Sequence, residues 1–340
     1  QAQELLNQEG KAKVVEVRGD PRPILASASK DKVVTADYHR PFECHVPMST
    51  PSVTVQIRPD RVDVWGTTQN VQAQLLVVAD QLKRDPKEVF VHGVFQGGAF
   101  GLGNHQDCAR QAAELAKQVG KPVQVIWSRE EDIAQSRARP PIWARFNAVL
   151  GKDGLPEAML ARAVGESLQG RYADRGLANQ PYMMPHFRFE RNEVKSSMYI
   201  GPNRAPGNNN NGFAMEQFVD EMAISGGWDP LDWRIKMTEG NERWQRVLKK
   251  MKEVSGFRTD LPKGQGMGIA VVESHGATVG SCVTVEVSRR GNLYIDKVLI
   301  VSNSGYCINP RNAHEQNVSS VIWELSHALY GGLQIGRAHV

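Results

Sequence analysis

No Cys-x-x-Cys spacing occurs in this sequence: its four cysteines, Cys44, Cys108, Cys282 and Cys307, lie far apart. An iron–sulfur cluster or structural zinc held by this chain alone is therefore not expected. The cysteines read as isolated core or surface thiols. No apolar run approaches the roughly 20 residues of a membrane-spanning helix, and the opening QAQELLNQEG has no basic start followed by an apolar stretch, as a signal peptide would. A net charge of +4, with Lys and Arg spread along the chain, gives no clustered basic face for nucleic acid. Gly-Lys-Ser and Gly-Lys-Thr are absent, which excludes a P-loop. The 340 residues, 41% hydrophobic and 23% charged, are enough for two or three globular domains with a sizeable core.

The patterning alternates between strand and helix periods. Residues 1–30 are polar, with Pro21 and Pro23 expected to break any helix. Strand signals follow at 32–38, then at 52–57 and 61–65, a pair whose Arg-Pro-Asp link suits a hairpin turn. Val71, Leu75, Val78, Ala79 and Leu82 recur at helical spacing, and Asp85-Pro86 ends that helix. A strand at 88–92, a helix at 107–119 closed by Gly120, and strands at 122–127 and 143–150 come next. Lys152-Asp153-Gly154 marks another hairpin. Residues 168–185 read as loop, 187–199 alternate, and 201–211 form an Asn-rich loop ahead of a helix with the stripe Phe213, Phe218, Met222 and Ile224. Asp229-Pro230 caps a further helix. A charged helix at 241–254 leads to a boundary near Pro262, beyond which lie strands at 281–288 and 293–301 and a helix at 312–329. This order predicts an α+β chain of mixed sheets with packed helices, in two lobes.

Two constellations carry chemistry. Phe95-Gln96-Gly97-Gly98-Ala99-Phe100-Gly101-Leu102-Gly103 joins a strand to a helix, where glycines let backbone N–H groups approach an anion. Its glycine spacing is not the dinucleotide fingerprint, and a tight packing turn is the competing reading. The second, Gly201 to Asn211, sets Arg204 beside a Pro-Gly bend and four amides, fit to aim a cation at an oxyanion or carbonyl. A solvated loop with capping asparagines is the alternative there. Arg129, Glu130, Glu131 and Asp132 are expected in a solvated turn, and Glu216, Glu273 and Glu286 exposed or ion-paired. His45 and His92 are expected to be structural, since no second ligand stands at metal spacing.

Taken in order, these pieces resemble the large molybdopterin-binding subunit of the molybdenum hydroxylases, the xanthine dehydrogenase and aldehyde oxidase superfamily. The resemblance runs over roughly residues 30 to 333. Gln96-Gly-Gly-Ala-Phe-Gly101 is similar to its Gly-Gly-x-Phe-Gly loop, and Val123 to Asp132 to its strand and Ser/Thr-Arg-Glu turn. Arg204-Ala-Pro-Gly207 with Phe213 to Ala223 resembles the Arg-x-x-Gly loop and helix, and Asp229 to Arg234 the Asp-Pro-Leu-x-x-Arg that follows. Early landmarks are Tyr38-x-x-Pro41-x-x-x-His45-x-Pro47-Met48 and Val64-Trp65-x-x-Thr68-Gln69. Late ones are Gly264 to Ala270, Gly305 to Pro310, and Gln316. The flavour is that of the isoquinoline 1-oxidoreductase β-subunit type.

The resemblance implies a subunit that hydroxylates an aldehyde or an N-heterocycle, with water as oxygen source. Its molybdenum sits in a molybdopterin, in the cytosine dinucleotide form, with no protein side chain as metal ligand. Gln96, Gly97, Gly98, Ala99, Phe100 and Gly101 would pack on that cofactor, Gly207 and Asn210 would line the Arg204 loop, and Arg204 would act in catalysis by stabilising negative charge. Electrons would leave through a small partner subunit carrying [2Fe–2S] clusters, with a cytochrome c as a further acceptor. Many relatives of this type are bacterial, periplasmic or membrane-associated. The late Gly-x-Gly-Glu of the family, which carries its general base, does not occur in the sequence, Leu102-Gly103 stand where basic residues are common, and Ser49 replaces a glutamate. The same pattern predicts a fragment, inactive alone: a polar lead-in at 1–30, a first lobe at 31–258, the start of a second at 259–334, and a non-native tail at 335–340. A cofactor-free scaffold of the same fold is the competing function.

Overall fold

The computed structural model describes residues 2–7, 12–168 and 173–333. In chain order the first elements are α1 (Ala2–Asn7), β1 (Lys13–Arg18), α2 (Arg22–Ser27), β2 (Val33–Arg40), β3 (Ser52–Ile57) and β4 (Val62–Gly66). Next come α3 (Val71–Leu82), β5 (Val89–Gly93), α4 (Asp107–Val119), β6 (Val123–Ile126), α5 (Arg129–Gln135), β7 (Ile142–Leu150) and β8 (Pro156–Gly165). The remainder are β9 (His186–Glu193), α6 (Asn208–Ser225), α7 (Pro230–Met237), α8 (Glu242–Val254), β10 (Gln265–Ser274), β11 (Ala277–Val287), β12 (Leu293–Asn303) and α9 (Pro310–Tyr330). These are the mixed sheets and packed helices of the α+β class.

The chain divides into two compact units, each assembled from separated stretches. The first comprises residues 1–40, 141–195 and 205–329; the second comprises 41–140, 196–204 and 330–340. The division is interleaved, and the boundary near Pro262 falls inside the first unit.

In the first unit a five-stranded sheet runs β1-β9-β8-β7-β2, and a three-stranded antiparallel sheet runs β10-β11-β12. The five-stranded sheet is antiparallel except for the β8–β9 pair. The core joins Phe146, Phe187 and Phe189 of the large sheet to Phe218 of α6, Trp233 of α7 and Trp244 of α8. Two expectations are corrected here. Pro21 and Pro23 do not exclude a helix: both sit at the start of α2, where no intrahelical N–H is lost. The run Asn208 to Asn211 is not loop but the first turn of α6. Its amides bond outside the helix, Asn211 Nδ2 donating to the carbonyls of Ala173 and Arg175 and Asn208 Nδ2 to Ser274 Oγ. These tertiary bonds outweigh the weak helix propensity of asparagine.

At the centre of this unit Glu216 is buried. It accepts from Tyr182 Oη at 2.6 Å, Arg234 Nε at 3.0 Å and the Val271 amide at 2.8 Å. Arg234, with no exposed side-chain surface, also reaches Asp220 at 2.6 Å. The expected ion pairing of Glu216 is present. Burial, then the Glu216 charge, pushes the Tyr182 phenol far up, so it remains a hydrogen-bond donor.

The second unit is built on a four-stranded sheet ordered β5-β4-β3-β6, in which β3 pairs antiparallel with β4 and β6, and β4 pairs parallel with β5. Val53, Val55, Val62 and Val64 pack beneath α3 and α4. The buried stripe of α4 is Ala109, Ala112, Ala113 and Ala116, small side chains that let the helix lie close to the sheet. Asn70 caps α3 by accepting from the Ala73 amide, and Gly120 closes α4 at φ +68°. The expected solvated turn at Arg129 to Asp132 is instead helix α5. Ser128 caps it, and Asp132 is buried against Arg129 at 2.6 Å and Ser136 Oγ at 2.7 Å.

Candidate functional site

The glycine-rich loop leaves β5 of the second unit and enters α4 through a short turn of 3-10 helix at 102–104. Phe95 is fully exposed, Gly97 and Gly98 lie at the surface, and Ala99 turns inward. Between Val94 and Gln106 there is no acidic residue, so nothing in the loop repels an anion. Gly98 has φ +83° and Gly101 φ +114°, a region in which L side chains are strained, and Phe100 between them has φ +55°.

Three polar residues outside the loop hold its shape. Ser49 Oγ accepts from the Gly97 amide at 2.8 Å, while the Met48 amide donates to the Gly97 carbonyl at 3.1 Å. Gln69 Oε1 accepts from the Gly101 amide at 2.9 Å, and the Gln69 amide donates to the Gly103 carbonyl at 3.0 Å. Thr68 Oγ1 donates to that same carbonyl at 3.2 Å. The Gln96 side-chain amide reaches the Thr68 carbonyl only at 3.5 Å. Sequence reasoning marked Thr68-Gln69 as a landmark and Ser49 as a departure. Their work as braces has no sequence signal, because the partner residues are distant in the chain.

Arg204 meets the loop within this unit. Its amide donates to the Phe100 carbonyl at 2.8 Å, and its guanidinium carbon stands 5.8 Å from the Phe100 ring centroid. Just before it, the Pro202 carbonyl accepts from buried His45 Nε2 at 2.8 Å. Gly101 fits against Pro202 so closely that an added Cβ would fall 1.9 Å from the Pro202 oxygen. Arg204 and the loop from Gln96 to Gly101 are therefore brought together. Gly207 and Asn210 belong to the first unit, as the N-cap and first turn of α6. Gly207 has φ +83°, and Asn210 is buried.

His105, at the end of the loop, is half-buried. That burial, with the Arg137 cation next in size, holds its imidazole down at about 4, against the opposing pull of Asp107. His92 bonds to buried Asp63 at 2.9 Å and stacks on Trp65, a structural role. Among the described residues no group of three His, Cys, Asp or Glu side chains is placed to hold a metal ion, and none of the four cysteines is disulfide-bonded. No helix among them is long and apolar enough to cross a membrane.

The molybdopterin cofactor-binding domain family matches residues 6–238. The chain is 26% identical over 310 residues to the β-subunit of isoquinoline 1-oxidoreductase from Brevundimonas diminuta, covering 86% of this chain and 40% of the relative. It is 23% identical over 353 aligned residues to a subunit of the nicotinate dehydrogenase of Pseudomonas putida, covering 92% and 29%. Among solved structures, the aldehyde oxidoreductase of Desulfovibrio gigas superposes with a TM-score of 0.63 at 19% identity, covering 84% of this chain and 34% of that one. The quinoline 2-oxidoreductase of Pseudomonas putida 86 gives the same score and identity, covering 83% and 43%. These structural likenesses carry the fold. The chain spans well under half the length of each of these relatives.

Proposed function

Since the chain belongs to the molybdopterin cofactor-binding domain family, we propose that it is the cofactor-holding part of a molybdenum-dependent oxidoreductase subunit. In this reading the whole protein hydroxylates an aldehyde or an N-heterocycle with water as oxygen source. It passes electrons to a small [2Fe–2S] subunit and onward to a cytochrome c. The bound form is the molybdopterin cytosine dinucleotide. Residues 31–258 form its first lobe and 259–334 begin its second.

One observation carries the reading: surface glycines with an arginine tied to the same loop. Gly97 and Gly98 lie exposed at the surface, no carboxylate lies between Val94 and Gln106, and the Arg204 amide is bonded to Phe100. Those features fit an anionic dithiolene cofactor, which needs close backbone approach and positive charge. When bound, the cofactor supplies the redox centre that oxidises the substrate carbon. Gln96, Gly97, Gly98, Ala99, Phe100 and Gly101 shape the surface on which it packs. Arg204 stabilises negative charge that develops on the substrate.

The test is molybdenum and pterin content. The complete gene, expressed with its neighbouring iron–sulfur subunit, should carry about one molybdenum per subunit pair, the stoichiometry of one cofactor-binding site. Arg204→Met should lower that content while the fold is retained. Folded protein without molybdenum, from a host that loads a relative, would sink the proposal. It would favour the second reading, a cofactor-free scaffold. One observation already leans that way: the Gly97 and Gly101 amides are taken by Ser49 and Gln69 rather than offered outward.

A further inference from the structure

In the first unit, residues of the loop before β9, of α6 and of the β10–β11 turn line a cleft of about 510 Å³. That lies within the range of small-molecule pockets, about 300–1,000 Å³. Its lining is mixed: Met215, Val272 and Pro181 are apolar, while Arg175, Asn208, Ser274 and His275 are polar. The polar four form one hydrogen-bonded chain. Arg175 Nη1 stands 3.1 Å from His275 Nε2, His275 Nδ1 stands 2.8 Å from Ser274 Oγ, and Asn208 Nδ2 donates to Ser274 Oγ at 2.9 Å. A guanidinium can only donate, so His275 Nε2 accepts and the imidazole is neutral, with its hydrogen on Nδ1. That hydrogen is donated to Ser274. Both lone pairs of the Ser274 oxygen are then taken, by His275 and by Asn208, and the hydroxyl hydrogen has no acceptor among the described residues. The turn that holds His275 in this place is strained: His275 has φ +51° and Gly276 φ +81°, as a two-residue hairpin turn demands of both its residues.

We propose that this cleft binds a small organic carboxylate, its oxygens on the Ser274 hydroxyl and the Arg175 guanidinium and its apolar body against Met215, Val272 and Pro181. The Ser274 hydroxyl is left able only to donate, so it selects an acceptor, and the guanidinium favours one that carries negative charge. The acidic residues of the lining do not oppose this, because each is already held by an arginine. Asp174 pairs with Arg191 at 2.8 Å, Glu216 with Arg234 at 3.0 Å and Glu273 with Arg243 at 3.8 Å. Glu273 also accepts from Trp244 Nε1 at 2.9 Å. A metal cation requires several oxygen ligands and is poorly served by a hydroxyl whose lone pairs are occupied. An inorganic anion would leave the apolar part of the lining unused. The cleft draws on no residue of the glycine-rich loop, so the inference stands whether or not that loop holds a cofactor.

Calorimetric titration of the whole chain with benzoate is the test, with benzyl alcohol and inorganic phosphate as comparisons. Benzoate should bind saturably, and both comparison molecules should bind more weakly by about tenfold or more, the scale of one hydrogen bond to a charged group. Ser274→Ala should weaken benzoate by about tenfold, and Arg175→Gln by about tenfold or more. No benzoate binding, binding that neither substitution changes, or benzoate held no better than benzyl alcohol or phosphate would overturn the proposal. Should a variant fail to fold, a crystal of the unsubstituted chain soaked in benzoate decides. A carboxylate within hydrogen-bonding distance of Ser274 Oγ supports the assignment, and a cleft without one overturns it.

Discussion

The Pro202 carbonyl oxygen lies where a side chain on Gly101 would begin, 1.9 Å from an ideal Cβ, and Gly101 itself sits at φ +114°. Space and backbone conformation therefore both demand glycine. Gly101→Ala should destabilise the second unit by about 2–4 kcal/mol through strain and overpacking, and should push the 201–204 segment off the loop. Urea unfolding gives the first quantity, and hydrogen exchange of the Arg204 amide gives the second. Unchanged protection of that amide would show that the two segments give way without separating.

Arg234 neutralises Glu216 and Asp220 inside the first unit. Arg234→Met strands both carboxylates and should cost about 3–5 kcal/mol in urea unfolding. Glu216→Gln, which keeps the side chain's shape and one carbonyl oxygen, should cost less. A loss under about 1 kcal/mol for Arg234→Met would mean that the carboxylates take up protons or water and the network contributes little.

His105 should make the protein acid-sensitive. Its folded imidazole titrates at about 4, below the ordinary histidine value, because of burial and then the Arg137 cation. Between the unfolded value near 6.5 and about 4 the unfolded chain binds more protons. Stability therefore falls as pH drops through that window and levels off below it. The urea midpoint of His105→Asn should fall less than that of the native chain over the same range. Identical pH profiles would place the acid sensitivity elsewhere.

Ser49 braces Gly97 with one hydrogen bond at the surface. Ser49→Ala should cost about 1 kcal/mol and should accelerate hydrogen exchange at Gly97 before it affects Val53 or Val55 of β3. If exchange at Gly97 does not change, the Met48 to Gly97 backbone bond is sufficient to hold the loop.

Much of the architecture was legible wherever one local rule decided the outcome. The β3–β4 hairpin, the Val78 and Ala79 part of the α3 stripe, the Gly120 stop and the Asp229 cap, whose carboxylate accepts from Leu231 and Asp232, stand as read, while Val71 of that stripe is exposed and Asp63 interrupts the alternation of β4 by being buried. What was misread depended on distant partners. Asn208 to Asn211 look like loop until the carbonyls of Ala173 and Arg175 are in place to receive Asn211. Asp132 looks solvated until Arg129 and Ser136 surround it. Strand β1 gains its identity only from pairing with β9, more than a hundred residues away. At the candidate site the glycines announced themselves, since φ above zero leaves a signature in residue type. The bracing roles of Ser49 and Gln69 did not, because ordinary polar side chains acquire meaning only from what they face.

The interleaving of the two units has a consequence for biosynthesis. Strand β2 finds its neighbour β7 only after residues 41–140 have been made. Closing so long a loop carries an entropic penalty that grows slowly with length, and a segment already collapsed into its own sheet brings the ends together. The β3 to β6 sheet, complete within 41–140, is thus positioned to form first as the chain leaves the ribosome, with β7, β8 and β9 added afterwards. The short stretch ending at Arg204 emerges later still, and it must return to a glycine loop made about a hundred residues earlier. The guanidinium over Phe100 is therefore delivered late in synthesis, after the sheet that receives it has been laid down.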